Sequence, residues 1–225
     1  YAISFDKLPF VKDFVFCMTA RLLGRKVILH DMGQYLRELD AGLSPFARKL
    51  LRLMMNNVSG SLVLGEVTRQ VYEGYMDVNR VYAVPGAVAD SIHLVLGVAR
   101  RPAAEKVNVL FFSFLQKSKG IWTALQAMPK VIAQDPNIFF TFAGPAESEQ
   151  FVVEMKDFIA KNNLEEHFEY VGYIGDDTQR TEYFRRSDIY IFPTLRDVFG
   201  LVLLHAMAES LPVAASRAGA VPEIV

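Results

Sequence analysis

The segment from 193 to 216, PTLRDVFGLVLLHAMAESLPVAAS, contains residue types that a ligand site needs. It runs from a turn into a helix of small residues and then into the start of a strand. Gly200 lets the backbone approach a ligand closely, and the helix after it directs free N–H groups and partial positive charge there. An anion such as a diphosphate suits those N–H groups, and sugar hydroxyls suit the carboxylate of Asp197. The structural alternative is that Asp197 only caps the helix and His205 packs on its face.

The elements that position this segment alternate between strands and helices from residue 107 onward. Runs rich in aromatic and β-branched residues predict strands, and apolar residues at helical spacing predict helices. The predicted strands are VNVLFF, NIFFTFAG, HFEYVG, DIYIFP and LPVAAS, and the helices between them are GIWTALQAMPKVIAQD, SEQFVVEMKDFIAKNNL, DDTQRTEYFRRS and GLVLLHAMAES. This alternation predicts a doubly wound parallel sheet that is covered on both faces.

The first hundred residues repeat the alternation less regularly. The predicted helices run through VKDFVFCMTARLL, from Ser44-Pro45 and from Glu66, and the predicted strands are KVILH, SLVLG and RVYAVP. We therefore predict two Rossmann-like α/β domains, 1–100 and 101–225, with a linker around Arg100. Because the sequence opens at Tyr1 and stops after a strand start, we expect a fragment in which both domains are incomplete.

Composition limits the classes of protein that fit. The chain is 52% hydrophobic and 22% charged, which is globular, and it lacks the roughly 18 uncharged apolar residues that span a bilayer. The single cysteine, Cys17, is predicted to be a buried apolar residue. Up to Lys106 there are 14 basic and 10 acidic residues, and the remainder has 10 and 15, so the N-terminal half carries the positive charge. That excess is ordinary for a solvated surface, and we expect no nucleic-acid partner.

Ligands of open parallel sheets bind beyond the carboxyl ends of the strands, which selects the loops 30–33, 113–120, 172–177 and 194–200.

The segment PTLRDVFGLVLLHAMAESLPVAASRAGAVPEIV resembles, without a gap, the donor-binding motif of glycosyltransferase family 4, the group 1 retaining enzymes of the GT-B fold. Further resemblances follow in order along the chain. They are GRKVILHDMG, VLGEVTRQVY, FFSFLQKSKGIWTALQAMPKV, FAG and FEYVGYI.

The resemblance assigns donor-binding roles by position. It implies that Lys119 neutralises the diphosphate of a nucleotide sugar and that the Phe199-Gly200-Leu201 backbone meets the phosphates and the sugar. Asp197 takes the place of a glutamate that contacts sugar hydroxyls, and His205 that of a glutamate that holds the ribose. Tyr173 and Ile174 are expected beside the base.

Some positions depart from the family pattern. Val198 replaces a glycine, which narrows the approach to the sugar, and Phe114 stands where many members have an arginine. On the acceptor side, Met32 aligns with the family's histidine, while His30 lies two residues earlier on the same face of the strand. We name Asp197 and His30 as the candidate catalytic residues.

The resemblance implies a metal-independent retaining glycosyltransferase that moves a hexose from a nucleoside-diphosphate sugar to a glycan or glycolipid acceptor, as in bacterial polysaccharide biosynthesis. No separate cofactor and no metal ion are expected. One alternative is a weak or inactive homologue that serves as a nucleotide-sugar-binding or partner subunit, and another is a nucleotide-sugar epimerase. The basic helix after Ser44 leaves open peripheral membrane contact or, as the favoured interpretation, solvent exposure. We expect a cytoplasmic location, with the inner face of the membrane as the alternative.

Overall fold

A computed structural model describes residues 1–3, 7–33, 35–88 and 106–225. The chain divides into two compact units, Tyr1–Gly86 and Ala87–Val225, which we call unit 1 and unit 2. The domain boundary predicted near residue 100 lies outside the described residues.

Unit 1 contains a parallel sheet whose four described strands follow one another in chain order. Since crossovers between parallel strands are right-handed, the connecting helices lie on one face of this sheet. The elements are β1 (Ala2–Ile3), α1 (Lys7–Leu22), β2 (Ile28–Asp31), α2 (Leu36–Gly42), α3 (Pro45–Asn57), β3 (Gly60–Val63), α4 (Glu66–Val71) and β4 (Val81–Ala83).

Local sequence explains the ends of the two long helices in unit 1. Ser44 caps α3 by accepting a hydrogen bond from the Ala47 N–H at 3.3 Å, and Pro45 follows at the first helical position. After α1, Gly24 adopts φ 70°, a left-handed conformation that glycine tolerates. These predicted helices are confirmed, and Cys17 is buried as predicted. Two short elements, β1 and α2, were not predicted.

The two faces of the unit 1 sheet differ in burial. Leu29, Val63 and Val81 pack in the core with the helices. Their chain neighbours Ile28 and Tyr82 point to the opposite face and are more than half exposed, at 51% and 57%. Since side chains alternate along a strand, the helices cover only the Leu29 face within the described residues.

A buried carboxylate ends β2 on the helix-covered face. Asp31 is fully buried and accepts hydrogen bonds from the Gly33 N–H at 2.8 Å and the Tyr72 hydroxyl at 2.9 Å. The Ser61 hydroxyl in turn donates to Tyr72 at 3.1 Å. Burial raises the pKa of Asp31 to about 6, and the two donors oppose that rise. The network fixes the Met32–Gly33 turn against β3.

Asp31 should therefore make the stability of the protein depend on pH. Because its folded pKa of about 6 exceeds the ordinary value of 3.8, the stability contributed by the protonated carboxyl is fully present below pH 3.8 and is lost as pH rises through 6. That shift corresponds to about 3 kcal/mol. Asp31→Asn removes the titration, so its unfolding temperature should rise relative to the original protein as pH increases through 6. Thermal unfolding across that range measures this difference.

Asp77→Asn is the matched control for Asp31. Asp77 also accepts a backbone hydrogen bond, from the Asn79 N–H at 3.0 Å, but its side chain is exposed. The unfolding temperatures of Asp31→Asn and the original protein are compared at each pH. If their difference stayed constant with pH, burial would not raise the pKa of this carboxyl.

Unit 2 is a five-stranded parallel sheet with helices on both faces, as predicted. Its elements are β5 (Val107–Phe112), α5 (Ile121–Gln134), β6 (Ile138–Ala143), α6 (Glu149–Lys161), β7 (Phe168–Gly172), α7 (Asp177–Arg185), β8 (Ile189–Phe192), α8 (Leu201–Ala208) and β9 (Val213–Ala215). Phe111 packs with α5 and α6, whereas its neighbour Leu110 packs with α7 and α8. The alternation of β5 thus fills both layers of the core.

The order of the unit 2 sheet is β7-β6-β5-β8-β9. From β5 the chain proceeds outward to β6 and β7, and then returns to the other side of β5 to form β8. The connections therefore reverse direction between β5 and β8, and the loops that follow these two strands diverge to opposite faces. Such a switch point opens a crevice at the carboxyl edge, where ligands of open α/β sheets bind.

Candidate functional site

The loops after β5 and β8 are bonded to each other at the switch point. The carbonyl oxygen of Ser118 accepts hydrogen bonds from the N–H groups of Leu195 at 2.9 Å and Arg196 at 3.2 Å. It also lies 3.2 Å from the Thr194 hydroxyl, and Thr194 is fully buried. These bonds fix the position of the 193–200 loop relative to the turn that carries Lys119.

Two glycines allow the backbones at this edge to approach closely. Gly120 has φ 75°, and a Cβ atom there would lie 1.8 Å from the carbonyl oxygen of Pro193. Gly219, in the loop after β9, has φ 56°, and its Cβ would lie 1.8 Å from the carbonyl oxygen of Asp197. No side chain fits at such distances, so both positions require glycine. Three successive loops of the sheet edge are thereby held in contact.

Lys119 and Asp197 meet in this crevice. The ammonium Nζ lies 2.5 Å from Asp197 Oδ2, a charge-assisted hydrogen bond. The other carboxylate oxygen, Oδ1, accepts from the N–H groups of Phe199 at 3.2 Å and Gly200 at 2.9 Å. Asp197 is only 9% exposed, so its charge depends on these partners. The carboxylate therefore bonds to the loop that leads into α8, rather than capping the helix itself as the structural alternative had it, and it also pairs with the ammonium of Lys119.

Helix α8 begins directly beside this pair. Gly200 precedes it with φ 78°, and a Cβ there would meet side-chain atoms of Leu203 at 3.0 Å and Phe192 at 3.3 Å. Leu201 is the first helical residue and is 40% exposed. The first N–H groups of a helix have no partner within it and carry partial positive charge. The crevice thus combines an ammonium group with a helix N-terminus, which together suit a diphosphate.

His205 faces α7. Its ring is stacked on that of Phe184 with 6.3 Å between centroids. Partial burial lowers its pKa, and the positive charge of Arg180 lowers it further, although Asp177 and Glu209 oppose the shift. The imidazole is therefore neutral at pH 7 and can accept one hydrogen bond at a ring nitrogen. His205 therefore lies between α7 and α8, whereas Asp197 bonds to groups in the loops that follow β5 and β8.

The remaining predicted donor residues lie in loops at the same edge of unit 2. Tyr173 and Ile174 follow β7, where Tyr173 is 74% exposed and Ile174 is half-buried. Val198 is half-buried in the loop after β8. Asp176 caps α7 by accepting from the Gln179 N–H at 2.8 Å, at the start of the helix predicted over DDTQRTEYFRRS. The assigned contacts of these loops with base and sugar stay predictions.

The acceptor-side candidate His30 belongs to unit 1. It is half-buried in β2 and pairs with Ala2 and Leu62 in the sheet, on the face opposite Asp31. A pocket of about 330 Å³ opens at the carboxyl ends of β1 and β2. It is lined by Ala2, Ile3, Lys12, Asp13, Met32, Gly33 and Tyr35.

Sequence reasoning missed Ser118, Thr194 and Gly219. Ser118 acts through its backbone carbonyl, which no residue type signals. Thr194 had a weak signal, since a polar residue directly after an apolar strand lies at the ligand edge of such a sheet. Gly219 follows β9 in the same way, but its contact with Asp197 depends on tertiary structure.

The described part of the chain shows neither a metal centre nor a spanning helix. Within residues 1–3, 7–33, 35–88 and 106–225, no cluster of His, Cys, Asp and Glu side chains could hold a metal ion. No helix in those ranges has both the length and the apolar composition that crossing a bilayer requires.

A family model described as glycosyl transferases group 1 matches residues 99–225. The match includes both members of the Lys119–Asp197 pair and covers more than half of the chain. The chain belongs to the group 1 glycosyltransferases. This finding confirms the resemblance to the group 1 enzymes, and membership of family 4 stays a prediction.

Alignments with similar proteins extend over both units of this group 1 chain. The gpi3 subunit of Schizosaccharomyces pombe phosphatidylinositol N-acetylglucosaminyltransferase is 28% identical over 209 residues, which cover 92% of this chain and 44% of that protein. The phosphatidyl-myo-inositol mannosyltransferase of Propionibacterium freudenreichii is 28% identical over 176 residues, which cover 76% and 42%. This chain therefore spans less than half the length of these relatives.

Among solved structures, Anabaena HepE in complex with UDP superposes with a TM-score of 0.74 at 19% identity, covering 96% of this chain and 60% of that one. At this identity the likeness shows the fold alone. The two parallel sheets match GT-B glycosyltransferases, as the sequence predicted.

Proposed function

We propose that this chain carries the central part of a retaining hexosyltransferase, which moves a sugar from a nucleoside diphosphate to a glycan or glycolipid. The observation that carries this proposal is the Lys119–Asp197 pair at the switch point of unit 2, beside the N-terminus of α8. A nucleotide sugar requires three things of such a site. The ammonium neutralises phosphate charge, the carboxylate accepts hydrogen bonds from sugar hydroxyls, and the helix N-terminus stabilises the leaving group.

The diphosphate and Asp197 compete for Lys119. In the structure the ammonium is paired with Asp197 Oδ2. When a diphosphate binds, the flexible stem of Lys119 turns the ammonium to its oxygens, and Asp197 Oδ2 becomes free to accept from a sugar hydroxyl. Asp197 Oδ1 keeps its bonds to Phe199 and Gly200 and so preserves the loop.

Departure of the nucleoside diphosphate requires stabilisation of the charge that develops on its terminal phosphate. Lys119 and the first N–H groups of α8 supply fixed positive charge at the crevice, which is the kind of preorganised electrostatic stabilisation that accelerates such steps. The neutral ring of His205 accepts one hydrogen bond from the nucleotide ribose. This reaction uses side chains, backbone groups and a helix terminus, without a bound metal.

The acceptor is expected in unit 1, where the pocket lined by Met32, Gly33 and Tyr35 opens at the carboxyl edge of the sheet. The names of the two relatives both include a phosphatidylinositol acceptor. They favour the glycolipid form of the proposal, with an inositol headgroup as the first acceptor to assay.

The direct experiment is to titrate the full-length protein with UDP and with GDP by calorimetry, and then to assay radiolabelled sugar transfer to phosphatidylinositol and to glycan acceptors. Binding of one diphosphate, followed by acceptor-dependent transfer with retained anomeric configuration, supports the proposal. Sugar interconversion without an acceptor would indicate an epimerase. Nucleotide binding without transfer to any acceptor would indicate a binding subunit.

A further inference from the structure

Helices α1 and α3 of unit 1 pack against each other and leave large apolar side chains exposed. Leu22 and Leu23, at the end of α1, are 84% and 71% exposed, and Phe46, at the start of α3, is 71% exposed. Smaller exposed fractions are found at Val11, Val15, Phe16 and Leu53. We call this outer surface, formed by residues 10–26 and 44–57, the α1–α3 face.

The charge of the α1–α3 face has one sign. Its two segments contain seven basic residues and a single acid, Asp13. Asp13 is 2% exposed and accepts a hydrogen bond from the Tyr1 hydroxyl, so it contributes no accessible carboxylate. The nearby Asp40 is engaged by Arg48 and by the Tyr75 hydroxyl. The basic residues are Lys12, Arg21, Arg25, Lys26, Arg48, Lys49 and Arg52.

Packing places this face on the outside of the unit. The inner sides of both helices are already buried on the sheet through Cys17, Leu51 and Met54. In layered α/β folds, a second layer of helices packs on the opposite face of the sheet, which here presents Ile28 and Tyr82. The α1–α3 face is therefore the side of these two helices that points away from the sheet of unit 1.

We propose that the α1–α3 face binds the surface of an anionic lipid bilayer. Exposed leucine and phenylalanine side chains gain free energy by entering the boundary between headgroups and acyl chains. Lysine and arginine place their apolar stems along that boundary and their charges at the lipid phosphates. Apolar side chains flanked by cations, with no accessible acid, are the composition that such a surface attracts.

Charge disfavours the other occupants of this face. A second copy of the chain, docked through the same face, would bring two sets of basic side chains together. A nucleic acid would engage the cations but would leave Leu22, Leu23 and Phe46 without apolar partners, because it presents a charged backbone. An anionic bilayer satisfies both features. Membrane binding does not depend on the proposed sugar transfer.

The test uses the full-length protein and two kinds of vesicle, one of phosphatidylcholine and one of equimolar phosphatidylcholine and phosphatidylglycerol. Co-sedimentation should show binding to the mixed vesicles, weak binding to the neutral ones, and a loss of binding as salt is raised. Binding to neither vesicle, or equal binding to both, would overturn the proposal.

Two variants locate the surface. The triple change Arg21→Gln, Arg25→Gln and Lys26→Gln should weaken binding to mixed vesicles about fivefold per residue, on the order of a hundredfold in total. The double change Leu22→Ser and Leu23→Ser should weaken it by roughly tenfold or more. All five side chains are exposed, so the fold should persist. Thermal unfolding checks that point.

The matched control lies in unit 2. Lys130→Gln, Lys156→Gln and Lys161→Gln also remove three exposed cations, and binding should change little. A control triple that weakens binding as much as the unit 1 triple would show non-specific attraction and would overturn the assignment to this face. Sedimentation velocity without vesicles tests whether this face joins two copies of the chain. Self-association of the original protein that the Leu22→Ser, Leu23→Ser variant abolishes would also overturn the proposal.

Discussion

Replacing Lys119 by methionine should lower kcat/KM for sugar transfer by about 10²- to 10³-fold, the usual cost of removing one group that stabilises transition-state charge. Methionine keeps most of the apolar stem and removes the ammonium, which lies 2.5 Å from Asp197 and borders the N-terminus of α8. UDP or GDP affinity, measured by calorimetry, should fall by roughly 10- to 100-fold, as expected for loss of a hydrogen bond to a charged group.

Lys117→Met is the control for this substitution. Lys117 lies in the same 3-10 turn and has the same charge, but its side chain is exposed. Its replacement should leave transfer and nucleotide affinity within about threefold of the original protein, because exposed charges are screened by water and salt. Equal losses in the two variants would show that only the general positive potential of the turn matters. Unchanged activity of Lys119→Met would remove Lys119 from the site.

Much of unit 2 could be predicted because its local signals agree with one another. Phe111 and Leu110 show the alternation of a strand buried on both faces, and Asp176 caps a helix in the position where the sequence placed the helix start. Lys119 and Asp197 were both named from the sequence. Asp197 was named from its place in a loop after a strand, where the edge of such a sheet binds ligands, whereas Lys119 was named from the family resemblance.

Partnerships between distant positions could not be predicted. Lys119 and Asp197 are separated by 78 residues, and their contact depends on the order of the strands. The sequence offered capping and ligand binding as alternatives for Asp197. In the structure its two oxygens have different partners, because Oδ1 accepts from the loop N–H groups and Oδ2 accepts from Lys119. For the same reason, the burial of Asp31 beneath Tyr72 had no local signal, because a polar residue at a strand end is usually solvated.

The short elements β1 and α2 were missed for a different reason. Two residues of strand and seven of helix carry too few positions for a period to be recognised. Leu36 and Leu39 are buried by tertiary packing, which stabilises a helix that would not form alone.

Asp197→Asn should separate the two roles of this carboxylate. The amide oxygen can still accept from the Phe199 and Gly200 N–H groups, so the stability lost with the Lys119 ion pair should be smaller than the loss in a variant that also removes this acceptor. The lost charge weakens the bond to a sugar hydroxyl, and kcat should fall about 10- to 100-fold. Affinity for free UDP or GDP should increase, because the diphosphate no longer competes with Asp197 for Lys119. Calorimetry and steady-state kinetics measure these opposite changes.

Asp197→Ala completes the comparison, because it removes the acceptor as well as the charge. The Phe199 and Gly200 N–H groups are buried and would lose their partner, so this variant should lose about 1–3 kcal/mol of stability as well as activity. If Asp197→Asn transferred sugar at the original rate while Asp197→Ala did not, the carboxylate would be a loop cap only. If both bound the diphosphate more weakly than the original protein, competition for Lys119 would be wrong, and Asp197 would instead hold the ammonium in its binding position.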